Sequence, residues 1–133
     1  MDELGKVMAA ARTAAKNAYA PYSEFHVGAA ILTTQGSIHP GCNVENASYG
    51  LGICAERNAA ARMAHDDPED RTIKLVAVSS PHAAHCFPCG ACRQVLREFG
   101  CEVVVVEDPN EESGMRSLPF EEILPNSFGP EVL

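Results

Sequence analysis

Two short stretches constrain this chain more than any others: CAER at 54–57 and PCGACRQ at 88–94. Each places thiols where helix signals begin. An alanine-rich run follows Cys54, Pro88 suits a first helical turn and Gly100 a helix end. A helix N-terminus favours negative charge and lowers a thiol pKa. Cys89 and Cys92 are three residues apart, so on a helix they share a face, and together they make half of a zinc site. Cys54 is the candidate third ligand. A fold that uses all three must bring two helix starts, distant in sequence, to one point.

The other cysteines are Cys42, Cys86 and Cys101. Residues 1–20 start acidic and become alanine-rich, without the basic segment and apolar segment of an export signal. A cytoplasmic location is therefore expected, and there a C-x-x-C pattern means metal binding or catalysis rather than disulfides. No run approaches the ~18 apolar residues of a membrane span. The net charge of −8, with ten scattered basic residues, disfavours a nucleic-acid surface. The 133 residues suit one compact domain, 1–133, with no repeat or low-complexity tract.

Leu4, Val7, Met8, Ala11, Ala15 and Ala18 predict a helix over 3–18. FHVGAAIL (25–32) and residues 37–45 predict a hairpin around TTQGS. A helix is expected from Cys54 to about Ala64, a strand at 73–80, a helix at 89–99, a strand at 102–107 and a short helix after Pro119. Helices alternating with strands in the second half predict a sheet covered on its faces, and the hairpin makes that sheet mixed.

Three protein ligands leave the fourth position of a zinc open, the mark of a catalytic site. Cys86 could instead close it as a structural site, although Cys86 precedes Pro88 and should lie off the helix face. Glu56 is the natural general base. Two residues from Cys54, it would face away in a regular helix, so the site requires Cys54 at the cap and Glu56 inside the helix. His82 and His85 read as exposed loop histidines, His26 as a structural residue on a strand, and Cys42 and Cys101 as core packing. In NVEN, Asn43 and Glu45 share one face of a strand and Val44 faces the core.

CAER followed by PCGACRQ resembles the zinc signature of cytidine deaminases, with a glutamate two residues after the first ligand and P-C-x-x-C later. With Cys54 first, the likeness is to the three-cysteine branch. APYSEFHVGAAIL resembles the family's N-terminal segment, GCNVENASYG its substrate loop and LPNSFGP its C-terminal end. Asn58 stands where the family often has threonine.

The resemblance implies a three-layer α/β/α sandwich with a central mixed five-stranded sheet. It implies zinc-dependent hydrolytic deamination of cytidine and 2′-deoxycytidine in pyrimidine salvage, with one Zn2+ per chain on Cys54, Cys89 and Cys92. Glu56 would carry protons from water to the pyrimidine N3 and the leaving amino group, and Arg57 would offset the sulfur charge. Asn43 and Glu45 would hold the ribose, while Phe25, Tyr49 and Ala55 would line the substrate site. Phe128 would reach a neighbouring subunit's site in a homotetramer. The partners implied are a nucleoside and water, with no nucleic acid and no membrane. The rival readings are a deaminase of another aminopyrimidine such as blasticidin S, an RNA- or DNA-editing enzyme, and a non-catalytic zinc-stabilised binding module.

Overall fold

The computed structural model describes residues 2–133. Its elements run α1 (Glu3–Ala15), β1 (Gly28–Thr33), β2 (Ile38–Cys42), α2 (Ala55–Asp66), β3 (Ile73–Ser79), α3 (Gly90–Glu98), β4 (Val103–Glu107), β5 (Met115–Pro119) and α4 (Phe120–Ile123). One five-stranded sheet has the order β2-β1-β3-β4-β5. β3 and β4 are parallel, and every other pair is antiparallel.

Strand alternation divides the core in two. Ala30, Leu32, Leu75, Ala77 and Val105 meet Val7, Met8 and Ala11 of α1 on one face. Ala29, Ile31, Val76, Val78, Val104 and Val106 meet Ala59, Ala60 and Met63 of α2 and Leu96 of α3 on the other. Burying a side chain the size of Met63 or Leu96 stabilises the fold by about 2 kcal/mol. The result is a three-layer α/β/α sandwich around a mixed sheet. The α1 start is fixed by Asp2, whose carboxylate accepts the Gly5 N–H at 2.8 Å.

The strand expected at 25–32 begins only at Gly28, because the Val27 N–H bonds the Asn43 side chain instead of a sheet partner. His26 therefore precedes the strand. β2 stops at Cys42, so Asn43 and Glu45 lie beyond it, and Val44, expected in the core, is exposed. The helix expected to reach residue 18 ends at Ala15. β5 was not readable from residue patterning. It is an edge strand in which only Leu118 is buried, so its alternation is too weak to stand out beside the charged turn before it. Among the described residues, no helix is long and apolar enough to cross a membrane.

α2 lies unusually close to the sheet. A Cβ added at Gly41 of β2 would sit 2.4 Å from the Ala59 nitrogen and 2.8 Å from the Ala55 oxygen. The Asn58 side-chain amide also donates to the Cys42 carbonyl at 2.8 Å, tying the same helix to the end of β2. This close seating sets where the first turn of α2 lies.

Candidate active site

Cys54 is the N-cap of α2 and Cys89 the N-cap of α3, both with extended backbone. Neither side chain accepts a capping N–H from its own helix backbone, which leaves both sulfurs free to turn toward each other. Cys92 lies in the first turn of α3. The sulfurs of Cys54 and Cys89 are 3.7 Å apart, and all three sulfurs lie within 4.8 Å of one another. A tetrahedral zinc with ordinary Zn–S bonds needs its sulfurs about 3.8 Å apart, so this donor set fits zinc. Cys86 is not part of the group, and its thiol is pushed up to about 11, chiefly by burial. The fourth position is thus left free of a protein sulfur.

Electrostatics favour a metal here. The Cys54 thiol is held down at about 5, first by a hydrogen bond from Cys92 and then by Arg57 and Cys89. Cys92, which donates that bond and is buried, is pushed up. Arg57 brings Nη2 to 3.8 Å from the Cys54 sulfur and 3.2 Å from the Gly52 carbonyl. Its own pKa is raised, chiefly by the contact with Cys54. With Cys54 outside the helix proper, Glu56 falls at the second helical position and is 4 % exposed. Burial pushes its carboxyl up to about 7, and the neighbouring Cys54 charge adds to the shift.

A cleft of about 410 Å³ opens beside Cys54, lined by Tyr22, Ser23, Asn43, Glu45, Tyr49 and Ile53 among others. Asn43 and Glu45 come to its wall not as neighbours on a strand but as organisers of the segment opposite. Asn43 accepts the Val27 N–H at 2.8 Å and donates to the Phe25 carbonyl at 2.9 Å. Glu45 accepts the backbone N–H groups of Tyr22 (3.0 Å) and Ser23 (3.1 Å) on one oxygen and the Ser23 hydroxyl on the other. These bonds, the Ser23 hydroxyl first, hold its carboxyl below the usual range.

The remaining candidates scatter. Tyr49 lines the cleft, 5.8 Å from the Tyr22 ring. Phe25 packs on His82, ring centres 5.6 Å apart, in an adjoining hollow. Ala55 is wholly buried in the core below the site. Phe128 stands on the C-terminal tail, 60 % exposed. His82 and His85 are exposed, paired with His26 (3.1 Å) and Asp108 (3.0 Å). Cys101 is in the core, whereas Cys42 is only half-buried. Sequence reasoning missed Tyr22 and Ser23 as cleft residues. The available signal was the glutamate at 45, a carboxylate whose donors are the backbone N–H groups of Tyr22 and Ser23 in the PYS turn.

The profile of the cytidine and deoxycytidylate deaminase zinc-binding region matches residues 1–108. A cytidine deaminase of Sporosarcina psychrophila is 37% identical over 131 residues, covering 98% of this chain and 95% of its own. One from Mycobacterium tuberculosis strain H37Rv is 41% identical over 123 residues, covering 92% of this chain and 87% of its own. The crystal structure of cytidine deaminase from Burkholderia pseudomallei matches the fold with a TM-score of 0.83 at 39% identity, covering 96% of this chain and 100% of that one. A likeness that spans both chains almost end to end, in sequence and in fold, leads to one conclusion: this protein belongs to the cytidine and deoxycytidylate deaminase family.

Proposed function

We propose that the chain hydrolyses the 4-amino group from cytidine and 2′-deoxycytidine, giving uridine and 2′-deoxyuridine with release of ammonia. The step belongs to pyrimidine salvage, in the cytoplasm. One observation carries the reading: three thiols at zinc spacing, from two helix starts, with a single buried carboxyl beside them. Cys54, Cys89 and Cys92 would hold the ion, which supplies a Lewis acid that makes water nucleophilic near neutral pH.

The chain's own residues do the rest. Glu56 takes a proton from the attacking water and delivers it to ring N3. It then takes the proton of the new C4 hydroxyl and passes it to the departing amino group, so that the C4 carbonyl forms as the C–N bond breaks and ammonia leaves. Burial raises this carboxyl above the usual carboxylate range, which suits it to take up and give back a proton near neutral pH. Its burial keeps the proton from bulk solvent. Arg57 spreads the sulfur charge that three thiolates would otherwise concentrate.

The cleft has the size of a nucleoside site. Asn43 keeps a second amide hydrogen and Glu45 further lone pairs, capacity suited to ribose hydroxyls. Tyr22, Val44, Tyr49, Leu51, Ile53 and Phe128 are exposed. The first five cluster at or beside the cleft, and so large an apolar surface supports a homotetramer whose sites are shared between subunits.

Deamination is followed as the loss of cytidine's ultraviolet absorbance, with zinc counted per chain. Glu56→Gln should keep its zinc and lose turnover by about 10²–10⁴-fold. Full turnover in that variant, or zinc-loaded protein inert on cytidine, would overturn the reading.

A further inference from the structure

We propose that Arg97 and Gln94 are positioning residues that present Phe128 to the active site of a second copy of the chain. This rests on the shared-site reading above and names the device that makes such sharing work.

The tail is held on α3 by polar side chains and not by its own aromatic ring. The Arg97 Nε donates to the Ser127 hydroxyl at 2.8 Å, and its Nη2 pairs with Glu131. Those two partners lie on either side of Phe128. Gln94 donates to the Phe128 carbonyl at 2.9 Å. The guanidinium also lies flat against Gly129: a Cβ there would sit 2.4 Å from Arg97 Cζ. Gly129 has an extended backbone, φ −148 and ψ −179, so this contact, not dihedral freedom, is what a side chain would disturb.

The clamp buries Gly129 yet leaves the neighbouring phenyl ring 60 % exposed. A ring whose job was to anchor the tail would be the buried group. Here the backbone on both sides is fixed and the ring is aimed outward, ordered before any partner arrives. Fixing a residue in advance spares its ordering at each binding event, a saving worth roughly tenfold in affinity per residue.

Opening the clamp should therefore raise KM and spare kcat. Arg97→Met is expected to raise KM for cytidine about 10–100-fold with kcat within about threefold, by the tenfold-per-residue scale. Gly129→Ala pushes the guanidinium aside from the tail and leaves the α3 sequence unchanged, and should give the same split. Both variants should keep a full complement of zinc.

Mixed oligomers decide between the tail and the metal-bearing helix as the route. Arg97→Met chains co-assembled with Glu56→Gln chains retain Glu56 at sites that can receive an intact tail from the other chain. KM at those sites should return to the wild-type value. A KM that stays high shows that Arg97 acts within its own subunit, and the proposal falls. Phe128→Ala chains mixed with Glu56→Gln chains test the underlying reading. No recovery there removes the shared site and this proposal with it, whereas recovery there without recovery for Arg97→Met removes the proposal alone. Loss of zinc from either clamp variant, or a fall in kcat equal to the rise in KM, would also overturn it.

Discussion

Replacing Gly41 by alanine tests whether the spacing between helix and sheet governs the chemistry. The new methyl would lie 2.4 Å from the Ala59 nitrogen and 2.8 Å from the Ala55 oxygen, backbone atoms that no rotamer change can move aside. Ordinary contact begins near 3.4 Å, so α2 must retreat by about an ångström. Overpacking of this kind costs about 1–3 kcal/mol, which for a chain of this size lowers Tm by about 5 °C or more. The larger effect falls on the active site. Cys54 and Glu56 occupy the cap and first turn of the displaced helix, and a reacting group misplaced by about 1 Å can lose 10²-fold in rate. The expected outcome is a kcat/KM for cytidine about 10²-fold below wild type. It is measured by ultraviolet absorbance at saturating zinc, with Tm by calorimetry at matched protein concentration. Wild-type Tm and wild-type kcat/KM in Gly41→Ala would refute the idea that this close seating sets the catalytic geometry.

Other substitutions probe neighbouring links. Asn58→Ala removes the bond to the Cys42 carbonyl, so it should cost about 1 kcal/mol in chemical denaturation with a milder loss of rate than Gly41→Ala. Asn43→Ala strips the Val27 N–H of its acceptor, costing about 1–3 kcal/mol and raising KM as the Phe25 segment loosens; unchanged KM would remove Asn43 from the cleft's architecture. In chelated protein, Glu56 has a folded pKa of about 7 against an ordinary 4.5. The folded state then binds the extra proton, so stability falls as pH rises between those values. Glu56→Gln should therefore be more stable than wild type above pH 7, by about 3 kcal/mol, and the advantage should vanish in acid; Tm against pH checks it. Asp108 has the opposite sign. Its carboxyl is lowered first by the Asn110 N–H and then by His85, so its contribution is present at neutral pH and lost as pH falls through the folded value. The Tm gap between wild type and Asp108→Asn should close in strong acid.

Legibility in the sequence followed the strength of local chemistry. The thiols at 54, 89 and 92 could be paired because their placement at helix starts has a reason independent of tertiary structure. The cap position of Cys54 followed from requiring Glu56 and the sulfur to face one ion, and the helix does begin at Ala55. The buried strands at 73–80 and 102–107 were visible because both of their faces are apolar. What failed was half-exposed backbone. β5 carries one buried side chain, so nothing marks its period. The hairpin's second arm was read three residues too long, since a side chain, Asn43, takes over from the sheet as the partner of Val27. Phe25, which the family resemblance gives to the substrate site, packs its ring against His82 in the hollow beside the cleft. The grip of Arg97 on Gly129 had no local signal, because the two meet only after the tail folds back across α3.

Zinc on these sulfurs would act as a rivet between the starts of two helices that otherwise meet along only a limited seam. α2 packs against β1 and β2, whereas the start of α3 hangs from the crossover joining β3 to β4. Their seam is short, and an ion gripping both helix starts carries its binding energy into the cohesion of that seam. A chelator should therefore do two things in one stroke. It should stop turnover, and it should let the amides of both helix starts exchange with deuterium well before those of β1 and β3, the strands that lie deepest in the sheet.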